Sequence, residues 1–244
     1  AVLDLPFARF DMSEYATRWH VDQFAGTGAS FTGAKEGLVT AFVEKNPKCL
    51  LLFDEIEKAD ESIILLFLQI LDAGRLKYTY TNREVSFKDC IIIMTTNAGR
   101  SLYEDGRHPN LSGVSRKVIM KALREDADPA TGMPMFPAAI CSRFASGNVV
   151  MFNHMEAQHL SRIVEQRLKK SADVIRDHYG IEVTIDEDVP VALLYSEGGA
   201  ADARSVGGRA ERFINTELFE LFRLLSSEDS AYDMDKIAGI HFSV

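Results

Sequence analysis

The residues best suited to chemistry are two adjacent acids, Asp54 and Glu55, at the end of the run Leu50-Leu51-Leu52-Phe53. The run is apolar throughout and reads as a buried strand, so the acids stand where that strand should stop. An acid in the first position can hold Mg²⁺ through water, and a second acid beside it can orient an attacking water. The same pair also suits a plainer task, capping a helix that begins near Ile56, because carboxylates favour the positive end of a helix. A second wholly apolar run, Ile91-Ile92-Ile93-Met94, leads into Thr95-Thr96-Asn97. An asparagine there can hydrogen-bond the water or a terminal phosphate. Ligands of open parallel sheets bind at the carboxyl ends of the strands, so the acid pair and Asn97 are expected to face one crevice. With Asn97 added, nucleotide chemistry outweighs the helix cap.

Those positions require a sheet that carries them. Continuous apolar strands separated by helical patterns imply a parallel sheet covered on both faces, an α/β fold. A first strand is expected over Phe7–Phe10, followed by a helical stretch from Ser13 and a Gly-rich loop, Gly26 to Gly37. The next helix ends at Asn46-Pro47. A strongly apolar helix, residues 60 to 73, is closed by Gly74, and Arg75 to Phe87 alternates around Thr81-Asn82 as a projecting hairpin. Glu104 to Gly113 reads as a surface loop and Asn148 to Phe152 as one more short strand. Beyond it the pattern changes to a long amphipathic helix stopped by Gly180, a short strand at Ile181–Ile185, two further helices and a last strand near Gly239. The expected domains are therefore an α/β part over 1–152 and a mainly helical part over 153–244.

Bulk properties narrow the partners. The chain has 244 residues, 46% apolar and 26% charged, with a formal net charge of −9. No run of Lys or Arg forms a basic stripe, so nucleic acid is a poor partner. No stretch reaches the roughly 18 apolar residues needed to span a bilayer. The three cysteines, Cys49, Cys90 and Cys141, are odd in number and far apart, which suits buried free thiols in a reducing, cytoplasmic setting. The six histidines show no metal-ligand spacing. A strand almost at the first residue suggests an excised fragment, although loss of an initiator Met explains it as simply.

Four stretches in order, FDMSEY, LLLFDEIEKAD, LDAGRL and IIIMTTNAG, resemble the second ATPase module of the Clp/ClpB-type AAA+ unfoldases and disaggregases. Scattered agreement continues to the C-terminus. The resemblance implies an AAA+ parallel-sheet core followed by a small helical lid. It makes Asp54 and Glu55 the Walker B acids, with Asp54 holding Mg²⁺ through water and Glu55 aiming the catalytic water, and Asn97 sensor 1. It places the arginine finger at Arg143, although Ser142 stands where the family has Asn. Arg204 becomes sensor 2, with Asp202 in place of Gly and Arg209 a nearby rival. Both roles need a guanidinium, always charged and able to grip phosphate oxygens bidentately; a surface salt bridge is the ordinary alternative for each. The loop Gly28 to Ala34 falls where the family carries its pore loop, making Phe31 the aromatic that grips a threaded polypeptide, unless it folds back onto the core.

A phosphate loop, G-x-x-x-x-G-K-[ST], is missing from these 244 residues. Gly28 to Gly33 comes nearest, but Lys35 is one position late and no hydroxyl follows. The resemblance puts that loop ahead of Phe7, before Ala1. Without its lysine and backbone N–H cradle, the chain alone is expected not to hydrolyse ATP. The intact protein is expected to be a homo-hexamer using ATP and Mg²⁺ to unfold or disaggregate polypeptides. No Ile-Gly-Phe/Leu tripeptide lies between Ser101 and Ser115, which argues against a protease partner. The second pore loop, KYTYTNR, is aromatic and polar where the family is Gly-rich. Two alternatives stand. One is a non-catalytic AAA+-like scaffold; the other is a fragment of a sigma-54-type transcription activator, whose loop differs from Gly28–Ala34 by one residue.

Overall fold

The structure, a computed structural model, describes residues 4–30, 32–104, 110–153, 155–195, 203–225 and 237–243. The chain divides into two compact units, Ala1–Asn153 and His154–Val244.

The first unit is built on three parallel strands in the order β1 (Phe7–Asp11), β2 (Leu50–Asp54) and then β5 (Ile91–Met94). Phe10 pairs with Phe53 and Asp11 with Asp54, while Phe53 pairs with Met94, so all three carboxyl ends lie at one edge. Apolar alternation cannot operate in a strand buried on both sides. Leu51 and Phe53 are fully buried, and the rings of Phe53 and Phe67 meet edge to face at 4.7 Å.

The stretch after β1 departs from the expected helix. Two short 3-10 turns, Met12–Tyr15 and Arg18–His20, precede the five-residue α1 (Val21–Ala25). Asp11 caps the first turn through Ser13, and Tyr15 turns inward against Phe24. Burial of that aromatic side chain therefore decides the local path. Next comes α2 (Leu38–Lys45), whose end is closed by Asn46.

The amide nitrogen of Ser62 binds Asp60, the N-cap of α3 (Glu61–Ala73), and Gly74 ends that helix at φ 63°. β3 (Arg75–Tyr78) and β4 (Arg83–Ser86) form the antiparallel hairpin, with Asn82 in the left-handed region at its turn. Beyond β5, the short α4 (Ser101–Glu104) is followed by α5 (Arg116–Glu125) and α6 (Ala138–Phe144).

Residues 148–153 form no strand, contrary to expectation. Val149 and Met151 pack on the core while Val150 and Phe152 are 75% and 77% exposed. The in-out alternation survives there without a ladder, because among the described residues no neighbouring strand supplies backbone partners.

In the second unit α7 (Ala157–Tyr179) ends at Gly180, with φ 69°. It is followed by β6 (Glu182–Ile185), α8 (Val189–Tyr195), α9 (Ala203–Leu225) and β7 (Gly239–Phe242), which pairs parallel with β6. Leu160, Val164 and Leu168 on α7 form a buried stripe at four-residue spacing, as do Val206, Ala210, Ile214 and Leu218 on α9. Spacing of this kind lets two helices bury one face each.

Candidate nucleotide-hydrolysis site

The site is assembled at the carboxyl ends of β2 and β5. Thr95, the first residue after β5, fixes the end of β2. Its amide nitrogen donates to Phe53 O at 3.0 Å and its carbonyl accepts from Ile56 N at 3.0 Å. Its hydroxyl accepts from Glu55 N at 3.0 Å and donates to Asp54 Oδ1. The other Asp54 oxygen takes both Arg9 Nη2, at 2.5 Å, and Arg9 Nε, at 3.1 Å. Arg9 lies on β1, the strand alongside.

Glu55 adopts φ 55° and ψ 54°, a left-handed conformation that costs a non-glycine residue about 1–3 kcal/mol. Thr95 holds it there from two sides. Glu55 makes no side-chain cap to the turn Ile56–Lys58, and Asp54 is engaged by Arg9 and Thr95. The helix-cap reading of the acid pair therefore fails; the acid that caps a helix here is Asp60.

Asn97 meets the acids. Its Nδ2 lies 3.3 Å from Glu55 Oε1 and 3.2 Å from Glu57 Oε1, and its backbone nitrogen donates to Glu57 Oε1 at 3.2 Å. The sheet register brings Asp54, Glu55 and Asn97 to one crevice, as the sequence leads one to expect. Arg9 and Glu57 are not legible there: a lone arginine among the apolar residues of β1 is the only signal for Arg9, and its partner lies 45 residues away.

Behind Asn97 the chain is anchored by Asp126. Gly99 N donates to Asp126 Oδ2 at 2.7 Å, and Arg100 Nη2 reaches Oδ1 at 3.2 Å. Burial pushes this carboxyl upward, but the Gly99 amide and the Arg100 guanidinium outweigh it and hold the group below the usual carboxylate range. Asp11, beside Asp54 in register, is likewise held low by its bonds from the Ser13 hydroxyl and amide.

The remaining expected residues lie elsewhere. Arg143, on α6, pairs through its guanidinium with Asp72 near the end of α3; Nη2 to Oδ2 is 2.8 Å, and both side chains are well exposed. That bond raises the arginine's already high pKa further. Arg204, in the first turn of α9, lines a cavity of 720 Å³ with Arg167, Lys170, Gly207, Gly208 and Glu211. Arg209 is turned toward α8, where its guanidinium approaches the carbonyls of Leu193 and Leu194. Phe31 and Asp202 lie outside the described residues. The neck of the Phe31 loop is defined: Thr27 N donates to Lys35 O at 3.0 Å and Lys35 N donates to Thr27 Oγ1 at 2.7 Å.

As for the cation, one carboxylate with its neighbours fits Mg²⁺, a hard ion that keeps most of its waters. Asp54 stands at the sheet edge with Oδ1 bonded to Thr95 and Oδ2 to Arg9, so it would meet the ion through water, and among the described residues no set of three His, Cys, Asp or Glu competes as a closed metal cage. Parallel strands presenting an acid pair and an asparagine at their carboxyl ends form the kind of crevice in which open α/β sheets bind ligands.

Residues 3–137 match the family model described as AAA domain (Cdc48 subfamily), and the chain belongs to that family. It is 30% identical over 214 residues to chaperone protein ClpB of Clostridium tetani, covering 86% of this chain and 23% of that protein. Heat shock protein hsp98 of Neurospora crassa is 29% identical over 233 residues, covering 92% of this chain and 23% of its own length. A solved closed-state reconstruction of Hsp104 with ATPγS and FITC casein shares the fold, with a TM-score of 0.66 at 24% identity over 91% of this chain and 36% of that one. The chain thus spans about a quarter of the length of the curated relatives it matches.

Proposed function

We propose that this chain is part of the C-terminal ATPase module of a ring-forming, Clp-type protein unfoldase or disaggregase. The observation that carries the reading is the convergence of Asp54, Glu55 and Asn97 at the carboxyl ends of β2 and β5. In this role Asp54 would hold Mg²⁺ through water, Glu55 takes the proton of the attacking water, and Asn97 orients that water. Mg²⁺, when bound, neutralises charge on the nucleotide phosphates. Arg9 and Thr95 fix the Asp54 carboxylate, so the acid is pre-aimed before nucleotide arrives.

These 244 residues contain no G-x-x-x-x-G-K-[ST] run. Arg143 sits in an exposed pair, a weak kind of tie, so it can leave Asp72 and complete a neighbouring subunit's site; rate then depends on assembly. Arg204 is the second phosphate-facing arginine, and Phe31 grips the threaded polypeptide. The relatives named as chaperones, and the casein in the Hsp104 reconstruction, support a polypeptide substrate; a homo-hexameric ring is proposed with it. No helix of the described residues is long and apolar enough to cross a membrane; a cytoplasmic site of action is proposed with the rest. The retention of five site residues, Asp54, Glu55, Asn97, Arg143 and Arg204, favours the motor over a non-catalytic scaffold.

The test is Mg²⁺-dependent ATP hydrolysis by the full-length protein. Glu55→Gln is expected to lower kcat by about 10²-fold or more while nucleotide still binds. Equal turnover by wild type and Glu55→Gln would sink the motor reading and leave the scaffold.

A further inference from the structure

Glu57 takes no part in the roles above, yet it touches the site. It lies on the turn Ile56–Lys58, directly after the left-handed Glu55. One carboxylate oxygen accepts from both the backbone and the side-chain nitrogen of Asn97, each at 3.2 Å. The other oxygen is shielded from solvent and has no hydrogen-bond partner among the described residues. A buried carboxylate oxygen left unpaired is costly. A fold that needed only a packed turn at this point would be better served by a neutral side chain, so the carboxylate is explained by what its first oxygen does.

We infer that Glu57 is a positioning residue that sets the side-chain amide of Asn97 against Glu55. The inference rests on the ATPase function proposed above and deepens it. An asparagine amide has two N–H donors and one carbonyl acceptor. Between two carboxylates the NH₂ end must face them, because a carbonyl oxygen there would be repelled. The backbone bond from Asn97 to Glu57 is independent of that choice and anchors the residue itself. One N–H is thus committed to Glu57 and the second to Glu55, at 3.3 Å. The Asn97 carbonyl is the end left to accept from a water. With Glu57 gone, the Nδ2 group has one carboxylate instead of two and the backbone nitrogen has no acceptor, so the amide is free to rotate away from Glu55.

The experiment compares wild type, Glu57→Ala and Glu57→Gln in the full-length protein. Glutamine keeps an oxygen acceptor for both Asn97 donors and removes the charge. Glu57→Ala is expected to lower kcat by about 10- to 100-fold, the size usual when the outer partner of a site residue is removed, with KM for ATP unchanged. Glu57→Gln is expected to restore a rate close to wild type. In an Asn97→Ala background, Glu57→Ala should cause no further loss. An unaffected kcat in Glu57→Ala, equal losses in both Glu57 variants, or additive losses with Asn97→Ala would each overturn the inference.

Glu55→Gln in the same assay separates the two readings. If it hydrolyses as fast as wild type, the ATPase reading fails whatever Glu57 does. The side-chain amide resonances of Asn97, recorded by NMR on this chain without nucleotide, then remain as a direct readout. They should shift in Glu57→Ala and stay near the wild-type position in Glu57→Gln; resonances unmoved in Glu57→Ala would overturn the inference.

Discussion

Thr95 and Asp126 show how single residues hold the site from its two sides. Thr95 uses both hydroxyl roles, donor to Asp54 and acceptor from Glu55, which no apolar residue of the same shape could reproduce. Asp126 is a half-hidden carboxylate whose oxygens take the Gly99 amide and the Arg100 guanidinium. Its folded-state pKa is lowered from the ordinary aspartate value, which the unfolded chain retains. The unfolded state therefore binds more protons between the two values, and stability rises with pH there. The contribution is complete above the unfolded value, about 3.9, and disappears as pH falls through the folded one. Asp126→Asn is expected to cost about 1.5–3 kcal/mol at neutral pH, the worth of hydrogen bonds to a charged group. Urea unfolding at a series of pH values checks this: the gap between wild type and variant should close below pH of about 4. A constant gap down to the acid limit would show that Asp126 is not the titrating support.

At the scale of elements, the segment from α1 to α2 is a loop with a pinched base. Thr27 and Lys35 bond across the neck, and below them Gly26 and Gly37 approach backbone to backbone. Gly26 holds φ 86°, where L side chains are strained. Gly37 has an ordinary φ of −76°, and the demand on it is space. A Cβ there would stand 2.3 Å from both the Ala25 carbonyl carbon and the Gly26 nitrogen. Gly37→Ala must push the two arms of the neck apart, at about 1–3 kcal/mol for overpacking. It should reduce protection of the Thr27 amide in hydrogen exchange while that of β2 is unchanged. Wild-type protection at Thr27 would mean that the neck absorbs the methyl without opening. The base of the loop that carries Phe31 therefore depends on two glycines outside Gly28–Ala34.

For the whole molecule, legibility follows the range of the interaction. Wholly apolar runs announced β2 and β5, and Gly74 and Gly180 announced where α3 and α7 end, because these signals are local. The acid pair and Asn97 were legible as one site because strand ends in a parallel sheet must converge. Arg9 and Glu57 were not, since their roles depend on a register 40 or more residues distant. The segment 148–152 kept its strand-like alternation and still failed to be a strand, because a strand needs a partner edge. Among the described residues β5 is outermost in its sheet and 148–152 does not pair with it; Ile91 and Ile93 on that strand are 42% and 44% exposed. An open apolar edge is a template for another strand, and a second copy of the chain in solution offers one. The 244-residue chain is therefore expected to self-associate with rising concentration in sedimentation velocity. Ile93→Lys, which puts a charge on that edge without touching the buried side of β2, should raise the monomer fraction at every concentration. If wild type and Ile93→Lys sediment alike, β5 is not the surface that recruits the second copy.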